Sequence, residues 1–457
     1  MIYRPHNYQR KAEDFVISHR ACALFLDMGL GKSVIALSAL RRLREDYLEI
    51  SRVLVIAPKS VARNTWTGEC EKWDHLKDTR VSVVMGTARQ REKALEADAD
   101  LYVINRDNVT WLVDRYGKDS VRWPFDCVVI DESSSFKNPQ SRRFKSLRKI
   151  RPYISRILLL TGTPSPNGLM DLWPQIWLLD YGHRLGRTLG TYRSQYFIPG
   201  RRNGDIVYDW VLKTGAGATI AEKIKDVCLS MSAADYIELP DRIEAGTVIN
   251  LRDEERHCYE EFERQLLLPV DDTVVEATTA ATLTNKLLQF TGGALYDSDS
   301  RWHFVGDSKM DALADILEAT DEPVLVFFAY RHELERLCKT FAHLDPVHFS
   351  GEPEILSDWN LGRIRLLLCH PASVAYGLNM QQGGRIIVWY TPTWNLELYE
   401  QANARLYRQG QTRPVLVYHL IAKGTMDERV MRALHSKDGI QGELLKRIKE
   451  VRGPKVF

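Results

Sequence analysis

Residues 26–33 read Leu26-Asp27-Met28-Gly29-Leu30-Gly31-Lys32-Ser33 and directly follow the apolar run Ala23-Leu24-Phe25. Farther on, Asp131 and Glu132 close a second apolar run, Cys127-Val128-Val129-Ile130. A glycine-rich turn between a buried strand and a helix can aim its backbone N–H groups at phosphate oxygens, with the helix N-terminus adding favourable field. Lysine supplies charge to the β- and γ-phosphates, and a serine hydroxyl is a magnesium ligand. A carboxylate pair at a neighbouring strand end supplies a metal ligand and a group to orient water. These are the two halves of a nucleoside-triphosphate site on an α/β sheet. Leu26 stands where the full glycine-rich pattern has its first glycine, so the placement between strand and helix strengthens the reading.

Working outward, further apolar runs occur at Val53–Ile56, Leu101–Ile104, Ile157–Leu160, Val324–Phe328, Ile364–Cys369, Ile386–Tyr390 and Val415–Leu420. Continuous rather than alternating runs imply strands buried on both faces, which is the pattern of parallel sheets. The runs fall into two groups, 20–165 and 320–425, predicting two α/β lobes with a boundary near Leu239-Pro240-Asp241. The expected domains are 1–238, with a loop and helix insertion at 181–238; 239–430, with a helical insertion at 254–300; and a short basic C-terminal helix in 431–457. Tyr259, Phe262 and Leu266 predict an amphipathic helix over 254–268, and 269–284 reads as a loop leading into another helix.

Composition narrows the function. The 457 residues are 44% hydrophobic and 27% charged, an ordinary globular balance. No apolar run approaches the length that spans a bilayer, and the N-terminus lacks the apolar region of a secretion signal. The seven cysteines lie singly, which fits an intracellular, reducing location, cytoplasmic or nucleoid-associated, and argues against a cysteine zinc site. Net charge is only +2. Local charge is stronger: Arg142, Arg143, Lys145, Arg148, Lys149, Arg151 and Arg156 fall in one stretch without an acid, and 181–217 is also basic. Either stripe reads equally as a phosphate track or a solvated face.

Further blocks come in a fixed order: Tyr8-Gln9; Ala57-Pro58-Lys59-Ser60 with Trp66, Glu69 and Trp73; Asp131-Glu132-Ser133-Ser134-Ser135-Phe136-Lys137-Asn138; Leu160-Thr161-Gly162-Thr163-Pro164; Gly377-Leu378-Asn379; Trp394-Asn395; and Gln401, Ala402, Arg405, Arg408, Gln409, Gly410 and Gln411. From about Arg4 to Glu428 the chain resembles the Swi/Snf-type ATPases of helicase superfamily two. The resemblance implies two tandem RecA-like lobes with an ATP cleft between them, and movement along duplex DNA. It also implies roles. Gln9 senses adenine, and Met28, Gly29, Leu30, Gly31, Lys32 and Ser33 cradle ATP. Ser33 and Asp131 hold Mg²⁺, and Glu132 activates water. Thr161, Gly162, Thr163, Gly377, Asn379 and Gln401 couple the lobes. Lys59, Ser60, Lys137, Asn138, Trp394 and Asn395 contact DNA, with Arg201 and Arg202 as weaker candidates.

Arg405 and Arg408 are spaced i, i+3, so on a helix they share a face, and the resemblance makes them the fingers that stabilise the transferring phosphoryl group. Trp66 and Trp73 read as core packing rather than base-stacking. Two departures stand out: Ser134 replaces a coupling histidine, and 370–376 replaces a small, glycine-rich start. The expected function is an ATP-dependent double-stranded DNA translocase, monomeric, with a possible recruiting protein and no membrane. The alternatives are an RNA or single-strand helicase and an ATP-gated binding module with little turnover.

Overall fold

A computed structural model describes residues 1–116, 123–204, 206–236, 239–270, 273–277, 279–374 and 378–450. The chain divides into two compact units, Met1–Ile237 with Lys437–Phe457, and Glu238–Ser436.

The first unit is built on a seven-stranded sheet. Its strands are β1 (Ala21–Leu26), β2 (Val53–Ala57), β3 (Val81–Val84), β4 (Leu101–Asn105), β5 (Cys127–Asp131), β6 (Arg156–Thr161) and β7 (Cys228–Met231). Their order is β7-β1-β6-β5-β2-β4-β3, and every pairing is parallel. The apolar runs become strands because helices cover both faces: β2, β4, β5 and β6 are buried throughout. The register sets Leu24 beside Leu160 and Ile130 beside Leu159. The C-terminal ends of β1, β6 and β5 are therefore neighbours, the edge where ligands bind in open α/β sheets.

The second unit holds a six-stranded sheet of β8 (Arg242–Ile249), β9 (Val324–Phe327), β10 (Val347–Phe349), β11 (Leu366–Cys369), β12 (Ile386–Trp389) and β13 (Val415–Ala422). Its order is β8-β13-β12-β9-β11-β10, again all parallel. Two parallel α/β lobes are thus present.

Several local expectations change. The helix expected over 254–268 ends at Gln265, and a hairpin pairing Leu267–Val270 with Thr273–Glu276 stands where the loop was expected, followed by the helix Ala280–Thr291. The aperiodic 181–220 region contains the helix Leu189–Tyr196 and a hairpin joining Phe197–Pro199 to Trp210–Leu212. The short basic helix expected within 431–457 is the last part of a longer helix, Met426–Glu450. Its residues 437–450 belong to the first unit, with Leu444 and Ile448 buried in that unit's core. Among the described residues no helix is long and apolar enough to cross a membrane, and no disulfide joins any of the cysteines.

Candidate active site

The phosphate loop connects β1 to the helix Lys32–Glu45. Gly29 and Gly31 have φ of 86° and 79°, a left-handed conformation that costs a side-chain-bearing residue free energy. Gly31 has a second constraint, since a Cβ there would lie 2.9 Å from Nε2 of Gln9. Gln9 is buried, and its Oε1 accepts the His6 backbone N–H at 2.9 Å, so the residue singled out for adenine sensing is packed against the loop itself. No atom lies within 4 Å of a Cβ built on Gly29, so that part of the turn is open. Lys32 Nζ donates to the carbonyls of Leu26 at 2.9 Å and Asp27 at 3.4 Å. An open turn of left-handed glycines, with a lysine held by exchangeable carbonyl contacts, fits a triphosphate.

The sequence did not reveal what anchors this loop. Asp27 Oδ2 accepts the Ser232 hydroxyl and the Ala233 N–H, both at 2.9 Å, fixing the end of β1 to the chain just past β7. These partners lie more than 200 residues apart in sequence, and no local pattern joins them.

Asp131 ends β5 and is buried. Burial pushes its carboxyl pKa upward, opposed by a hydrogen bond from Trp66 and by the charge of Lys32. Trp66 Nε1 donates to Oδ2 of Asp131 at 3.0 Å, and the Glu132 N–H donates to Oδ1 at 3.1 Å. Trp66 is fully buried, as packing requires, and it also meets the candidate metal carboxylate. Glu132 adopts φ 51°, ψ 61°. Left-handed backbone at a non-glycine residue costs about 1–3 kcal/mol and clusters at functional sites.

Thr161, at the end of β6, donates from Oγ1 to Glu132 Oε2 at 3.4 Å and accepts the Thr163 N–H at 3.1 Å. A Cβ on Gly162 would lie 3.2 Å from the Leu26 carbonyl and 3.6 Å from Lys32 Nζ. The Thr161–Thr163 segment therefore abuts both the glycine-rich loop and the carboxylate pair. Among the described residues the buried Thr163 hydroxyl has no hydrogen-bond partner. Ser134 is fully buried. Its neighbour Ser133 donates to Gln175 Oε1 at 2.8 Å, and Gln175 Nε2 reaches the Pro164 carbonyl at 2.7 Å, joining the two motifs from behind.

In the second unit the arginine pair departs from expectation. The helix Leu396–Asn403 ends before both residues, so they share no helical face. They converge nonetheless: Nη1 of Arg405 and Nη1 of Arg408 donate to the Leu378 carbonyl at 2.9 and 3.0 Å. Arg405 Nε also donates to the Gln401 carbonyl at 2.9 Å. Burial lowers the pKa of Arg408. Gln401 is buried, and its amide donates to Glu397 at 3.4 Å. Asn379 is exposed and its carbonyl accepts Asn360 Nδ2 at 2.8 Å. Gly377 lies outside the described residues.

The candidate DNA contacts differ in availability. Lys59 and Ser60 are exposed at the start of a helical segment. Lys137 is half-buried; Asn138 is exposed, with its Oδ1 accepting the Gln140 N–H at 2.9 Å. Trp394 is exposed, whereas Asn395 caps the following helix through the Leu398 N–H. Arg202 is exposed, and Arg201 is ion-paired with Asp209 at 2.8 Å. The basic stripe at 142–156 divides. Arg151 and Arg156 are buried and bind backbone carbonyls, including those of Ile154 and Ile17 at 2.9 Å, while Arg142, Lys145, Arg148 and Lys149 face outward.

Residues 6–292 match the model of the SNF2-related domain, and 308–410 match that of the helicase conserved C-terminal domain. A putative protein, p41, of Acyrthosiphon pisum secondary endosymbiont phage 1 is 37% identical over 98% of this chain and 99% of its own length. The putative ATP-dependent helicase/translocase YwqA of Bacillus subtilis is 24% identical over 92% of the chain, which spans 46% of that protein. The RAD54-like DNA repair and recombination protein of Gallus gallus is 23% identical over 95% of the chain and 67% of its own length. A solved structure of the Sulfolobus solfataricus SWI2/SNF2 ATPase core in complex with dsDNA is 20% identical, with a TM-score of 0.46 over 98% of this chain and 97% of that one. Because the first family model covers well over half the sequence and a relative matches end to end, the chain belongs to the SNF2-related family of helicase-type ATPases.

Proposed function

We propose that this ATPase is a motor on double-stranded DNA, converting each turnover into movement along the duplex without reading its sequence. The observation that carries the reading is the convergence at three adjacent strand ends of Lys32, the pair Asp131–Glu132, and Thr161 to Thr163. That arrangement joins a hydrolytic centre to a coupling segment. Relatives named as a helicase/translocase and as DNA repair and recombination proteins support DNA as the track.

Each residue has a definable task. The loop N–H groups and Lys32 bind and orient the triphosphate. Magnesium bound with the nucleotide neutralises developing charge on the phosphate oxygens. Ser33 and Asp131 are the side chains that would hold it. Glu132 orients the attacking water and receives its proton, and its strained backbone with the Thr161 contact fixes where the carboxylate points. Arg405 and Arg408 stabilise the transferring group once they leave the Leu378 carbonyl. Lys59, Ser60, Lys137, Asn138 and Trp394 contact the backbone of the duplex, so affinity falls with salt.

Displacement of a third strand from a DNA triplex tests this reading. The wild-type chain displaces the strand with ATP, and Glu132→Gln does not. Duplex-stimulated hydrolysis without displacement would overturn translocation while leaving the ATPase intact.

A further inference from the structure

Trp66 has one polar atom, and that atom donates to Oδ2 of Asp131 at 3.0 Å. The other carboxylate oxygen accepts the Glu132 N–H. A carboxylate oxygen has two lone-pair directions, so one bond on each fixes the directions that remain for a ligand. Packing alone would not select an indole at a fully buried position. Phenylalanine or leucine would fill space without burying a donor that must be satisfied.

The placement of Trp66 adds a second observation. It opens the helix Trp66–Lys72, which continues directly from a π-helical turn at Val61–Thr65 whose cap is Ser60. Ser60, Thr65 and Trp66 all have right-handed helical dihedrals, so the segment is unbroken. A π turn inserts an extra residue and rotates the rest of the helix by about 100° relative to a regular one. The N-terminal end of this single element carries the exposed pair Lys59 and Ser60, and its middle carries the indole that holds Asp131.

We propose that Trp66 is a positioning residue. Its indole sets the direction in which Asp131 presents its carboxylate, and the helical segment it shares with Lys59 and Ser60 makes that direction depend on the DNA strand held there. The proposal rests on the duplex-motor reading for the identity of the strand.

The test replaces Trp66 in the full chain with β-(3-benzothienyl)alanine, which keeps the bicyclic shape and puts sulfur in place of N–H. Trp66→Phe serves as a second variant. Three quantities are read: binding of Mn²⁺ with ADP by electron paramagnetic resonance, the Mg²⁺ dependence of turnover with and without duplex, and the thermal unfolding midpoint. Loss of a partner that orients a metal ligand weakens metal binding by about 10–100-fold. The isostere is expected to weaken Mn²⁺ binding within that range, raise the Mg²⁺ requirement in parallel and reduce duplex stimulation towards the basal rate, while the unfolding midpoint falls only by the modest amount that one lost buried hydrogen bond costs. Wild-type metal binding in the isostere would overturn the positioning role. Weakened metal binding with full duplex stimulation would overturn the link to Lys59 and Ser60. A wild-type chain that duplex does not stimulate defeats the motor reading instead, and the Mn²⁺ measurement still decides the role of the indole.

Discussion

The phosphate loop and the arginine pair both hold cationic side chains against backbone carbonyls, yet they hold them differently. Lys32 is a half-exposed ammonium resting on the carbonyls of Leu26 and Asp27, beside a glycine turn with open space. Its contacts are two carbonyl oxygens that phosphate oxygens could replace as acceptors. Arg405 is buried and Arg408 is drawn inward, and both are tied to the same Leu378 carbonyl. Leu378 precedes Asn379, to which the family resemblance gives a coupling role, so the arginines and that segment form one hydrogen-bonded piece. The arginine pair shares a single carbonyl acceptor, so freeing both guanidinium groups breaks two hydrogen bonds to one segment, and under the proposed motor reading that segment is where DNA would act on turnover.

The largest effects test the first half of that contrast. Lys32→Ala and Glu132→Gln each reduce hydrolysis to background. Glu132→Gln retains nucleotide affinity, measured with a fluorescent ATP analogue, because the loop is untouched. Wild-type hydrolysis in Glu132→Gln would remove that residue from the chemistry.

Arg408→Ala addresses the second half. It lowers duplex-stimulated turnover by about 10³-fold or more while leaving nucleotide binding near wild type. Arg408→Lys does not restore the rate, since an ammonium cannot replace the planar fork. Equal loss of turnover and binding would show instead that the residue only supports the fold.

Two smaller effects probe whether the second unit is held rigid by its own polar interior. Lys309 Nζ meets Asp427 Oδ2 at 2.7 Å with both side chains fully buried, and Asp427 also accepts Thr291 Oγ1 at 2.8 Å. Lys309→Met strands a buried carboxylate and costs about 3–5 kcal/mol in denaturant unfolding. His332 is fully buried, and neither ring nitrogen has a hydrogen-bond partner among the described residues. Burial lowers its pKa from 6.5 to about 3. A folded pKa below the unfolded value means the unfolded chain binds the extra proton. Stability is therefore full above pH 6.5 and declines as pH falls towards 3. His332→Phe flattens that decline by up to roughly 3 kcal/mol at pH 4, read from unfolding at several pH values.

Much of the fold was legible because parallel strands buried on both faces leave continuous apolar runs, and the runs Val53–Ile56 and Cys127–Ile130 became the strands Val53–Ala57 and Cys127–Asp131, each one residue longer. The 267–276 hairpin was not legible. Pro269 and the acidic turn look like loop punctuation, and Pro269 is tolerated because it lies in a two-stranded ribbon rather than a central strand. The arginine spacing suggested a helical face, but the helix stops at Asn403 and the convergence is made by one carbonyl instead. Local motifs placed Lys32, Asp131 and Thr161; the contacts that hold them cannot be read from spacing. Asp27 with Ser232, Trp66 with Asp131, and Ser133 with Gln175 each join distant parts of the sequence, and only the topology of the sheet brings them together.

The most direct measurement is ATP hydrolysis with no polymer, duplex DNA, single-stranded DNA or RNA, with Lys32→Ala as the blank. Stimulation by duplex above every other condition is the predicted result. Strongest stimulation by RNA or single strands, or hydrolysis no higher than the blank under all conditions, would contradict a duplex-driven motor.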